Sequence, residues 1–119
     1  MSIKVYQYPK CSTCRKAIKW LEANNIAYES INIVDQPPTR SALEDMWQKS
    51  GQPLRKLFNT SGQSYRQGNF KERLGSMTET EALTALSEDG KLIKRPLVDA
   101  GPKVLVGFNE DNYQDSLGD

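Results

Sequence analysis

The stretch from Ile3 to Ile33 constrains the fold more than any other part of the chain. Ile3 to Tyr8 alternates weakly, with Ile3 and Val5 on one side and Tyr6 and Tyr8 on the other, and Pro9 closes it. That pattern predicts a strand. Beyond it, Cys14, Ala17, Ile18 and Leu21 recur at the spacing of an amphipathic helix. Asn24-Asn25 ends this helix, and a second strand is predicted at about Ala27 to Ile33. Strand, helix and strand in so short a span make a βαβ unit, whose two strands run parallel.

The remainder reads as a helical block followed by a hairpin. Pro37-Pro38 breaks the chain; Ser41 and Glu44 then have capping-box spacing, and Thr39 is an equally good helix start. This helix ends at Gly51, and Leu54, Leu57 and Phe58 predict another short one, closed by the turn Asn59-Thr60-Ser61-Gly62. The segment "NTSGQSYRQGN" lacks the Lys-Ser/Thr ending of a phosphate-binding P-loop and reads as a loop near the active site. Lys71-Glu72-Arg73 reads as a solvated helix face, and Trp20 and Trp47 as packing residues. Thr78 and Glu81 form a cleaner capping box, opening a helix that ends near Asp89-Gly90. Strands follow at Leu97 to Asp99 and Lys103 to Phe108, joined by Ala100-Gly101-Pro102. The last helix starts at Asn109, where Glu110 and Asp111 face the positive helix end. The expectation is one domain over residues 1–119, with a helical insertion at about 39–90.

Charge and hydropathy narrow the function classes. Sixteen Lys and Arg against fifteen Asp and Glu leave a net charge of +1, without the basic excess on which general nucleic-acid binding depends. No apolar run approaches the ~18 residues of a membrane span, and Met1 to Val5 lacks the apolar core of a secretory leader. The expectation is a cytoplasmic protein with no direct nucleic-acid or membrane partner. In that reducing compartment a static disulfide is disfavoured.

Both cysteines lie in "YPKCSTCRKA", at Cys11 and Cys14. A structural zinc site normally takes four Cys or His ligands, and the chain has two cysteines and no histidine. Haem attachment needs a histidine after the second cysteine, where Arg15 stands. Redox chemistry and simple burial remain. A Cys-x-x-Cys pair between a strand and a helix of a βαβ unit has the placement of a thioredoxin-like redox motif. Cys11 would face unpaired backbone N–H groups and the positive end of the helix dipole, which favour thiolate. Cys14, one turn in on the apolar stripe, stays protonated and more buried.

"LIKRPLV" adds a proline opening a strand after the helical block. Taken with "VGFNED" and the cysteine segment, it makes the chain, from about Ile3 to Leu117, resemble the arsenate reductase/Spx family, in its short "arsenate reductase-like" branch. The resemblance implies an α/β thioredoxin-like fold of glutaredoxin type: a mixed four-stranded sheet with a helical insertion between the βαβ unit and the C-terminal hairpin. It makes Cys11 the nucleophile, Arg95 the oxyanion-contacting arginine and Pro96 a cis-proline beside the site, with Arg15 and Asn59 as further substrate-binding candidates. It implies no tightly bound cofactor, and glutathione, glutaredoxin or thioredoxin as electron donor.

Two departures shape the functional expectation. Where glutathione-dependent arsenate reductases of the family carry two further arginines, this chain aligns Asn59 and Gly107; where they commonly have Ser, it has Cys14. The first weakens arsenate chemistry, and the second implies an internal Cys11–Cys14 disulfide in place of an external resolving thiol. The expected function is thiol–disulfide oxidoreduction on a small-molecule or protein substrate, with arsenate reduction as an alternative. A second alternative is redox-sensing regulation of the Spx type, in which the insertion region grips the C-terminal domain of the RNA polymerase alpha subunit. Those regulators carry a basic tail, whereas "YQDSLGD" is acidic, which sets an expectation of weak polymerase association.

Overall fold

The computed structural model of the chain describes residues 3–118. Met1, Ser2 and Asp119, which the one-domain expectation includes, lie outside the described residues. The predicted βαβ unit forms from β1 (Ile3–Gln7), α1 (Ser12–Ala23) and β2 (Tyr28–Asn32), with β1 and β2 parallel and Val5 opposite Ser30. Asn24 caps the end of α1, and Asn25 takes the left-handed conformation at φ 57° that turns the chain into β2. After the helical block come β3 (Leu97–Asp99) and β4 (Val104–Val106), both antiparallel to their neighbours. The sheet order is β2-β1-β3-β4, the mixed four-stranded arrangement expected.

The block itself comprises α2 (Arg40–Ser50), a 3-10 turn at Leu54–Leu57, α3 (Gln63–Gln67), α4 (Phe70–Arg73), a 3-10 turn at Leu74–Ser76, α5 (Glu79–Glu88) and a 3-10 turn at Gly90–Leu92. Of the two candidate starts for α2, Thr39 is the one used: its hydroxyl accepts from the Ala42 N–H at 3.1 Å. At α5 the capping box is complete. Thr78 Oγ1 accepts from the Glu81 N–H, and the Glu81 carboxylate accepts from the Thr78 N–H.

Three expectations need correction. "NTSGQSYRQGN" is not a loop throughout, because it contains α3. No side chain caps that helix; its support is tertiary, through Tyr65, which stacks on Phe70 and meets Phe58 edge-on. Phe58 does not continue a short helix but pairs with Ile93 in an isolated antiparallel bridge. Strand β4 stops at Val106, short of Phe108, because Gly107 turns the backbone to φ +77°. The helix predicted from Asn109 is α6 (Glu110–Leu117), with the Asn109 side chain accepting from the Asn112 N–H at 3.1 Å.

Alternation along the strands divides the hydrophobic core between the two faces of the sheet. Val5 and Val98 point to one face, where Ala17, Trp20, Leu21 and Tyr113 of α1 and α6 cover them. Leu97 and Val104 point to the other, against Leu43, Met46, Leu83 and Leu86 of the insertion. Tyr113 is fully buried; its hydroxyl donates to the Gly107 carbonyl at 2.7 Å, and its ring meets Trp20 and Phe108 edge-on. The insertion returns to the sheet through buried Gly90, where a Cβ would fall 1.9 Å from the Ile33 carbonyl oxygen.

That approach is backbone against backbone, so a side chain at this position forces the block away from β2. Gly90→Ala should lower stability by about 3 kcal/mol. Urea denaturation measures it; a loss under about 0.5 kcal/mol, the range of neutral surface changes, would show that the close approach is not required.

Candidate active site

Cys11 lies at the N-terminus of α1 and is itself the capping residue. Its backbone is extended (φ −93°, ψ 115°) and its sulfur accepts from the Cys14 N–H at 3.3 Å. Its own N–H donates to the Tyr8 carbonyl at 3.0 Å, which fixes the turn out of β1. A helix leaves its first N–H groups without intrahelical partners, and here a sulfur takes the place usually held by a hydroxyl or carboxylate oxygen. Cys11 is part-exposed, Cys14 is 0% exposed, and both are free thiols.

The two thiols are driven in opposite directions. Burial, the largest single influence, would raise Cys11, and hydrogen bonds from the Cys14 thiol and backbone oppose it. With the hydrogen-bonding and charge of the Arg95 guanidinium added, they hold Cys11 below its ordinary value. Cys14 is pushed up to about 12, first by burial and then by the hydrogen bond it gives to Cys11. The expected difference in exposure, Cys11 outward and Cys14 inward, is present.

Arg95 approaches from the opposite side of the site, just before β3. The Arg95–Pro96 peptide is cis, as the resemblance implies. The guanidinium lies over the Tyr8 ring, 5.3 Å from its centroid. Its Nε is buried and meets no hydrogen-bond acceptor among the described residues. Arg95, Tyr8 and Asn59 line a hollow of about 310 Å³ together with Gln63, Ser64, Gln67 and Lys91. Arg95 thus borders this hollow and also acts on the Cys11 sulfur.

The remaining candidates are placed differently. Arg15 is exposed and donates to the Pro9 carbonyl at 3.2 Å; it does not line the hollow. Gly107 adopts a positive φ that L side chains rarely take. Sequence reasoning missed Tyr8, Gln63, Ser64, Gln67 and Lys91. Tyr8 was legible only as the end of a strand, and the two glutamines and Ser64 fell in a segment with no apolar period to orient them.

A family model described as the ArsC family matches residues 6–116. The uncharacterized protein YusI of Bacillus subtilis is 51% identical over 116 residues, covering 98% of each chain. The regulatory protein MgsR of the same organism is 30% identical over 104 residues, covering 87% of this chain and 81% of that one. In the crystal structure of an ArsC family related protein from Bacteroides fragilis, the fold superposes with a TM-score of 0.94 at 45% identity, covering 97% of each chain.

The thiol asymmetry has a direct readout. Because Cys11 is held low, its thiolate population, and with it the iodoacetamide labelling rate, should plateau at lower pH than for a free cysteine at ~8.5. The rate should fall as pH drops through the Cys11 value, while Cys14 stays unlabelled in the native protein. Arg95→Gln removes a lowering influence, so its profile should move to higher pH. Mass spectrometry of the labelled peptides separates the two cysteines; faster labelling of Cys14 would reverse the assignment.

Proposed function

The chain belongs to the ArsC family, and from that premise we propose that it is a thiol–disulfide oxidoreductase in which Cys11 attacks and Cys14 resolves. The observation that carries the proposal is the opposed state of the two thiols one helical turn apart, Cys11 lowered and Cys14 raised. The Cys11 thiolate attacks one sulfur of a substrate disulfide, forming a mixed disulfide and expelling the other sulfur as thiolate. The Cys14 thiol then loses its proton and attacks the Cys11 sulfur, releasing the second substrate thiolate and closing a Cys11–Cys14 disulfide. The substrate gains two electrons and the protein loses two. Glutathione, glutaredoxin or thioredoxin returns them by the reverse exchange.

Cys14 is unreactive at first partly because of Cys11. The hydrogen bond it donates to the Cys11 sulfur and the charge on that sulfur both raise it. Once Cys11 is tied up in a mixed disulfide its charge is gone, and burial is the main influence left holding Cys14 up. Resolution therefore becomes easier only after attack. The Arg95 guanidinium, which borders the hollow, supplies a donor for an acceptor atom of the substrate.

Arsenate is a poorer fit. A largely dianionic oxyanion meeting a thiolate needs compensating cations. Beside Arg95 this hollow offers the neutral amides of Asn59, Gln63 and Gln67, with Lys91, and Gly107 carries no side chain. Each missing donor to a developing oxyanion can cost on the order of a hundredfold in rate. A regulatory reading of the Spx type is favoured by one observation, the likeness to MgsR, described as a regulatory protein. In it, the same disulfide would switch contacts with RNA polymerase.

An NADPH-coupled assay with glutathione and glutathione reductase, and without glutaredoxin, should show reduction of a mixed glutathione disulfide, above the rate without protein, that Cys11→Ser abolishes. Cys14→Ser should accumulate the Cys11 mixed disulfide, visible by mass. Arsenate turnover should be lower than disulfide turnover by a factor of about a hundred or more. Activity that survives Cys11→Ser would refute the proposal. Redox-dependent binding of the purified polymerase alpha C-terminal domain, without disulfide turnover, would favour the regulatory reading.

A further inference from the structure

The Phe58–Ile93 bridge has residues facing two separate cavities. The Lys94 N–H donates to the Leu57 carbonyl at 2.7 Å, and the Asn59 N–H to the Leu92 carbonyl at 2.8 Å. Asn59 and Arg95 line the smaller hollow beside Tyr8, whereas Phe58, Thr60 and Lys94 line a larger trough of about 590 Å³ on the insertion. The trough continues past Thr60, Tyr65 and Lys71 into a second hollow of about 270 Å³ that adds Arg66. No part of the thiol chemistry uses it.

Its lining is segregated by charge. Arg55, Lys56, Lys71 and Lys94 border the trough, and no Asp or Glu does, although the chain as a whole is nearly neutral. Among the described residues the ion pair present is Lys49–Asp45 at 2.9 Å, so none of the four cations is neutralised by a carboxylate. Glu79 borders an adjoining hollow that shares Arg55 and Leu74. The floor is apolar: Leu74, buried Phe58, and a half-buried Tyr65 held by its stack on Phe70 at 6.2 Å.

Cations unopposed across one concave volume call for an anionic ligand, and an aromatic floor beneath them calls for a flat, apolar group on the same molecule. The volume lies within the ~300–1,000 Å³ of small-ligand sites, and a half-open trough of this size differs from the extended stripe that tracks a nucleic-acid backbone. We propose that the trough between Tyr65, Leu74, Lys71 and Lys94 is a nucleotide-binding site. The base lies on Tyr65 and Leu74, and the phosphates lie among Arg55, Lys56, Lys71 and Lys94. This site is independent of the thiol reading, and either stands if the other fails.

The test is a titration of the full chain, isotope-labelled for NMR, with ADP, adenosine and inorganic pyrophosphate in parallel. ADP should shift the amides of Thr60, Tyr65 and Gly75 saturably, with a Kd below about 1 mM. Adenosine and pyrophosphate, each lacking half the ligand, should bind at least about tenfold more weakly. Lys71→Glu should weaken ADP by a similar factor, with Lys94→Gln as a milder second variant, while Lys19→Glu, an equal charge change on α1, should not. Thermal melts check that the variants are folded. Shifts that do not saturate, pyrophosphate binding as tightly as ADP, or an equal loss in Lys19→Glu would each overturn the proposal.

Discussion

An α-helix begins with amide groups that have nothing within the helix to bond to, and in this protein the atom that meets one of them is the sulfur of Cys11. That contact, Sγ to the Cys14 N–H at 3.3 Å, makes the reactive group a structural one. The sulfur's position is set by the start of α1, and the start of α1 is set by the turn that the Cys11 N–H makes with the Tyr8 carbonyl. The parallel register of β1 and β2 and the packing of Ala17 and Leu21 beneath the sheet hold the helix where its first turn presents the sulfur. A charge at this end is favoured by the helix dipole as well as by the bond.

The second half of the site arrives from far along the chain. Arg95 follows the helical block, and its placement depends on how that block rejoins the sheet: Gly90 against Ile33, Phe58 against Ile93, then the step into β3 beside β1. The insertion therefore supplies the wall on which Arg95 and Asn59 are mounted. Its effect on the thiol is carried by a guanidinium backed by Tyr8, a residue of the cysteine loop itself. The site is closed by contacts between the first ten residues and the last third of the chain.

Most of this architecture was legible in the sequence because it rests on periodicity and caps. The stripe through Cys14, Ala17 and Leu21 gave α1 and the inward place of Cys14, and Thr78 with Glu81 gave the start of α5. The parts that were not legible depend on tertiary contacts. Helix α3 has no capping side chain and no apolar stripe, and its support is the packing of Tyr65 against the Phe58 and Phe70 rings. The choice of Thr39 over Ser41 was open because both can cap. The resemblance supplied the roles of Arg95 and Pro96, which no local pattern announces. The polar hollow around Asn59 draws on three separated segments, around Tyr8, residues 59–67 and residues 91–95, and neighbours of that kind emerge only when the chain is folded.

The sheet separates two hydrophobic clusters that share no buried residue. Val5, Trp20 and Tyr113 belong to one, and Leu43, Leu83 and Leu97 to the other. Among the described residues, packing changes on one face therefore meet a different set of buried side chains from changes on the other. The α1/α6 face carries the helix that positions the sulfur and tolerates little change. The insertion face can vary in its outer layer, away from the Gly90–Ile33 and Phe58–Ile93 contacts that mount Arg95, while that helix stays in register. The sheet is in this sense a partition between a compartment of fixed geometry and one free to acquire new surface, which lets a single scaffold diversify what it contacts without re-inventing how its thiol is held.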